Sequence, residues 1–155
     1  MPKQTLTRKA ADNPYFHRDF HIALNYAIDY LHRKFGEEAV WEYLAQFAEA
    51  WYSPLKKSIS ENGLIAVKDH YEKIYKIEEA DYEIQLSEDE LIIHLAASPA
   101  VMHIKSKGHR VSELFHETVA AVNKAICKNT PFDCELREYR QENGGYTLLF
   151  SRRTG

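Results

Sequence analysis

Asp81-Tyr82-Glu83-Ile84-Gln85-Leu86-Ser87-Glu88-Asp89-Glu90-Leu91-Ile92-Ile93-His94-Leu95-Ala96 is where the hydrophobic period of the chain changes. Apolar and polar residues alternate from Asp81 to Leu86, as in a half-buried strand, and Ser87 to Glu90 supplies a turn before a second, more apolar run. The stretch predicts a β-hairpin. Ser98-Pro99 ends its second strand, and a basic connection carrying Lys105, Lys107 and Arg110 follows. A helix is expected over 111–128, with Ser112 in its first turn and Phe115, Val119, Val122 and Ile126 as its apolar stripe. Alternation returns from Phe132 to Tyr139, Asn143-Gly144-Gly145 is a strong turn signal, and Tyr146, Leu148 and Phe150 alternate in a last strand. The second half, residues 80–153, therefore reads as ββαββ.

Upstream the period is helical. His17, His21, Leu24, Ile28, Leu31 and Phe35 recur at steps of four and three, predicting a helix over about 15–35 that Gly36 stops. Glu37-Glu38 open a second helix with Val40, Leu44, Phe47 and Trp51 as its stripe, which Ser53-Pro54 breaks. A short amphipathic piece, Leu55 to Ser60, leads through Asn62-Gly63 to a third helix from Leu64 to about Ile77. Residues 1–13 are polar and read as a flexible lead-in. The expected fold is thus α+β, one domain over 14–155: N-terminal helices (14–78) followed by a ββαββ antiparallel sheet packed against helices. Tyr82, Ile84, Leu91, Ile93, Leu95, Leu148 and Phe150 would face the helices. Ile92, His94, Ala96, Tyr139 and Leu149 would make the opposite face, apolar enough that a homodimer burying it is expected.

Composition sets outer bounds. The chain has 155 residues, 45% hydrophobic and 28% charged, with 6 Gly and 5 Pro. A chain of that size buries roughly 70% of the surface its unfolded form exposes, so its core needs no disulfide or structural metal. Lys+Arg at 20 against Asp+Glu at 23 leaves a net charge of -3. That balance argues against a nucleic-acid or anionic-membrane partner. No run approaches the roughly 18 apolar residues of a membrane span, and no signal-peptide h-region is present, so a cytoplasmic protein is expected. Cys127 and Cys134, with no CxxC pair, read as structural thiols.

Eight histidines are the most suggestive feature. His17 and His21 are four apart on one helix side, a spacing that can hold a divalent metal, although the Glu of an HExxH motif is missing. The second cluster is His94, Ser98, His103, His109 and His116. On the strand reading His94 and Ser98 share a side of the chain, and His116 sits about 100° round the helix from Phe115, at the edge of the buried stripe. A hydroxyl and imidazole bases at one mouth would suit addition of water to a carbon–nitrogen double bond. The plainer alternative is that Ser98 caps a turn and His116 is a solvated flank residue. Arg110, near the expected helix start, could receive a carboxylate. Most of the ten tyrosines, with Trp41 and Trp51, read as packing between helices.

Tyr30-Leu31-His32-Arg33-Lys34-Phe35-Gly36-Glu37-Glu38-Ala39, Glu42-Tyr43-Leu44, Asn62-Gly63-Leu64, Ser98-Pro99-Ala100-Val101 and Gly145 to Arg153 resemble the L-2-amino-thiazoline-4-carboxylic acid hydrolase-like family, over about residues 20–153. The resemblance implies a small bacterial cytoplasmic protein that opens a cyclic amidine by hydrolysis on the way to L-cysteine. Relatives often carry Cys at or near the places that here hold Ser98, His116 and Tyr146. In the resulting hydrolase hypothesis His116 is the general base, Ser98 and His94 orient water or substrate, and Arg110, His103 and Tyr146 bind substrate. The layout is also similar to 4-vinyl reductase-like domains, which implies a noncatalytic dimer holding a small-molecule ligand.

Overall fold

The computed structural model describes residues 18–154. Among them the chain runs α1 (Asp19–Phe35), α2 (Glu37–Trp51), α3 (Ser53–Asn62), α4 (Leu64–Ile77), β1 (Tyr82–Leu86), β2 (Glu90–Leu95), α5 (Pro99–Ser106), α6 (Glu117–Cys127), β3 (Phe132–Arg137) and β4 (Tyr146–Arg152). The strands form one antiparallel sheet in the order β1-β2-β4-β3. The architecture is α+β, as the change of period predicts. The lead-in expected over 1–13 and His17 lie outside the described residues.

The two central strands supply the heart of the core. Leu91, Ile93, Leu148 and Phe150 are all fully buried under the helices, and the register sets Leu91 opposite Phe150 and Ile93 opposite Leu148. Alternation at period two is what places all four on one face. Ile28 of α1, then Val40, Leu44 and Ala48 of α2, bring their helical stripes to the same core.

Two helices escape the sequence reading, and for one reason. Pro54 and Pro99 were expected to end elements, yet each occupies the first turn of a helix, where a missing N–H costs nothing and a fixed φ helps. Pro54 begins α3 and Pro99 begins α5. Conversely, the helix expected from Val111 starts only at Glu117. Residues 111–116 wind in three-residue turns instead: Phe115 N–H donates to Ser112 O, Glu117 N–H to Leu114 O, and the Ser112 hydroxyl takes the Leu114 N–H.

The outer face of the sheet also differs from expectation. Its rows read Glu83, His94, Thr147, Arg137 and Gln85, Ile92, Leu149, Glu135. Only Ile92 and Leu149 are apolar there. Tyr139, expected on this face, lies on the helix side against His116, with ring centroids 5.5 Å apart. Glu138 before it adopts a left-handed conformation (φ 54). That residue breaks the alternation, so its own carboxylate reaches Thr147 on the outer face while Tyr139 turns inward.

Candidate functional site

Between the helices and one end of the sheet lies a cavity of about 380 Å³. Its size is within the range of small-molecule sites, about 300–1,000 Å³. Buried Leu44, Leu95, Val101 and Phe115 form its floor, while Phe20 and Trp51 at its lining are 43% and 67% exposed and so mark its rim. Trp51 therefore is not the interhelical packing residue that its position in the α2 stripe predicts, although it stacks on Phe47. One face of α4 supplies His70, Tyr71, Ile74 and Tyr75, and Glu78 follows at its C-cap, positions that recur at helical spacing. Their rings meet edgewise or tilted in a chain, Tyr52 to His70 to Tyr71 to Tyr75, at centroid separations of 5.3–5.6 Å.

Few polar groups enter this wall. The Tyr75 and Tyr146 hydroxyls are 2.6 Å apart, and burial pushes both phenols well above their ordinary pKa, so both stay protonated. Tyr71 Oη donates to Asn123 Oδ1 at 2.7 Å. His21 Nε2 lies 3.6 Å from Glu78 Oε1. Among the described lining residues there is no Lys or Arg.

His70, which the sequence reading did not single out, has its pKa pushed down to about 4 by burial, helped by Lys73. It is neutral in the folded protein at pH 7. The unfolded chain, with an ordinary imidazole near 6.5, binds a proton that the folded chain refuses between those two values. Stability should therefore fall as pH drops from about 6.5 to 4. His70→Gln should flatten that fall, as measured by urea midpoints at pH 7, 5.5 and 4.5; an unchanged acid slope would remove His70 as its source.

The expected site residues divide. Ser98, Tyr146 and His21 line the cavity. Ser98 is the N-cap of α5, its Oγ accepting the Val101 N–H at 3.3 Å. His94, Arg110, His103 and His116 are not in the lining. His94 and Ser98 do not share a side, because the strand ends at Leu95 and the bend at 96–97 breaks the alternation on which that expectation rested.

His94 instead stands on the outer face, its Nδ1 2.9 Å from Thr147 Oγ1. Thr147 gives its only hydrogen to Glu138 Oε2, 3.1 Å away. His94 then donates through Nδ1–H, and with Glu83 and Arg140 it lines a separate polar cleft.

His116 is placed differently from the free base expected. Its Nδ1 is 3.1 Å from Glu113 O and its Nε2 is 3.3 Å from Glu117 Oε1. Both nitrogens face acceptors, and the Glu117 hydrogen bond raises its pKa, which favours the protonated ring. A ring so held, outside the cavity lining, is poorly placed to take a proton from a molecule bound there. Arg110 is not at a helix start, since α6 begins seven residues later, and its Nη2 pairs with Asp29 at 3.2 Å on the surface. His103 Nε2 binds Asp19 Oδ1 at 2.9 Å.

The expected metal pair needs His17, which lies outside the described residues; among the described residues no three His, Cys, Asp or Glu side chains group as a metal site would need. Burial raises both thiols, Cys127 to about 12, so neither is a thiolate at neutral pH. Among the described residues, no helix is long and apolar enough to cross a membrane. Comparison of the chain with protein-family models, with curated proteins and with solved structures finds no match to any of them.

Proposed function

We propose that the chain is a noncatalytic small-molecule-binding domain, the second of the two functions that the sequence resemblances imply. The observation that carries this reading is the aromatic cavity, with an apolar floor and few, well-placed polar groups. The hydrolase reading has less support. Its general base has both ring nitrogens against acceptors and lies outside the cavity lining, its second histidine lies on the other face of the sheet, and among the described lining residues no Lys or Arg would receive the thiazoline carboxylate. A homodimer closed over Ile92 and Leu149, and a cytoplasmic setting with reduced thiols, belong to the same proposal.

The test uses N-phenyl-1-naphthylamine, whose fluorescence rises when it leaves water. Saturable enhancement at one probe per chain is expected. Val119→Trp, which fills the cavity from α6, should weaken binding at least tenfold while leaving the circular dichroism spectrum intact. His116→Ala should change the affinity by less than about twofold, because its ring is outside the lining. Binding unaffected by Val119→Trp, or turnover of 2-amino-thiazoline-4-carboxylate by the purified protein, would overturn the proposal.

A further inference from the structure

The character of the cavity wall narrows what it would hold. Tyr75 and Tyr146 both reach the cavity, and among the described residues each phenol has the other as its hydrogen-bond partner. In such a pair one hydroxyl donates to the other, which uses one of two hydrogens. The second hydrogen is left over at a buried position, where an unmade hydrogen bond is costly. A ligand acceptor would complete it. A carboxylate or phosphate could also accept that hydrogen, but an anion would be stripped of water beside the Glu78 carboxylate, and among the described lining residues no Lys or Arg would compensate. A cation would gain from Glu78 and the ring faces, yet it too would give up its water in a wall that is otherwise apolar.

Resting on the binding reading above, we infer that the ligand is an uncharged aromatic molecule carrying a single hydrogen-bond acceptor, such as a ketone or ether oxygen, received by the paired Tyr75 and Tyr146 hydroxyls. The rings of α4 and Tyr52 supply the apolar contact, and the phenols set orientation. Selectivity against charge comes from the desolvation that the wall cannot offset.

Four naphthalenes of nearly equal size separate the possibilities: 2-acetylnaphthalene, 2-ethylnaphthalene, 2-naphthoate and 2-naphthylmethylammonium, measured by equilibrium dialysis at pH 7. The ketone should bind about fivefold more tightly than the hydrocarbon, the worth of one neutral hydrogen bond. Both ions should bind at least tenfold more weakly than the ketone. Tyr146→Phe alone should keep the ketone preference, because Tyr75 is then free to donate, whereas Tyr75→Phe with Tyr146→Phe should abolish it and still bind the hydrocarbon. Equal or tighter binding of either ion, or a ketone preference surviving in the double variant, would overturn the ligand class while leaving the binding function standing. Failure of all four to bind while N-phenyl-1-naphthylamine still binds would likewise overturn the ligand class alone; failure of that probe as well would overturn both.

Discussion

Gly144→Ala should be among the most damaging single-methyl changes in this chain, lowering stability by about 2–5 kcal/mol. Two costs combine. Gly144 has φ +70, where an L side chain meets its own backbone, and a Cβ built there would lie 2.5 Å from Val101 Cγ2 and 2.8 Å from Ser98 Cβ. Neither neighbour can yield cheaply. Val101 is 1% exposed, and Ser98 is fixed at both ends, its N–H on Asn143 O at 2.9 Å and its Oγ on the Val101 N–H. The loop that carries Gly144 is itself fastened to the sheet end: Arg140 Nη2 donates to Leu95 O and Ala96 O at 3.0 Å, and Gly145 N–H to Asn143 Oδ1 at 2.8 Å. Gly108→Ala is the control, since Gly108 has a similar φ of +79 with nothing within 4 Å of its added methyl. It should cost about 1 kcal/mol, the backbone share alone. A melting temperature about 10 °C lower for Gly144→Ala than for wild type is the corresponding thermal result. If the two alanine variants unfold at the same urea concentration, the close approach is being relieved by movement of α5, and probe binding should then weaken because Ser98 and Val101 line the cavity.

Periodicity was enough for the layers and insufficient for the site. Leu64 to Ile77 and the strands around Ile93 and Leu148 could be read because each presents a regular apolar face to a common core, and a regular face leaves a regular pattern. The cavity depends instead on which large rings converge from separate elements, and no local pattern records that Tyr75 will meet Tyr146 seventy-one residues on. His70 carries a signal of its own: it follows Val67 at a step of three and adjoins Tyr71, on the edge of the α4 stripe, where an imidazole is partly buried among apolar side chains. One signal in the sequence carries two meanings. Ser98-Pro99 followed by Ala100-Val101 is a helix opening, with an N-cap hydroxyl and proline in the first turn, and not only the end of a strand. Reading it so would have detached Ser98 from the strand alternation that seemed to join it to His94. Glu138 left no comparable signal, since nothing in Arg137-Glu138-Tyr139 announces a left-handed residue.

Asn25→Leu should lower stability by about 2–4 kcal/mol, although it replaces a polar residue on α1 with a better helix former of similar size. Asn25 is 1% exposed and uses its amide as a clamp on a distant loop. Its Nδ2 donates to Arg110 O at 2.8 Å, and its Oδ1 accepts the Ser112 N–H at 2.7 Å. Ser112 is itself 2% exposed, so leucine would strand that N–H away from water. The turns that follow carry Phe115 and Thr118 to the cavity wall, which ties this clamp to the site. Hydrogen exchange gives the local readout: the Ser112 amide should exchange at least tenfold faster in Asn25→Ala than the global loss of stability accounts for, while amides of β2 and β4 follow the global change alone. Arg110→Ala is the contrast. The guanidinium pairs with Asp29 at the surface, Asp29 also has Arg33 at 3.0 Å, and exposed pairs of this kind are worth about 0–1 kcal/mol. Its removal should be nearly neutral for stability and for probe binding. A Ser112 amide that exchanges no faster in Asn25→Ala would mean that the loop is held by the packing of Leu114 and Phe115, and that the amide clamp follows from that packing instead of causing it.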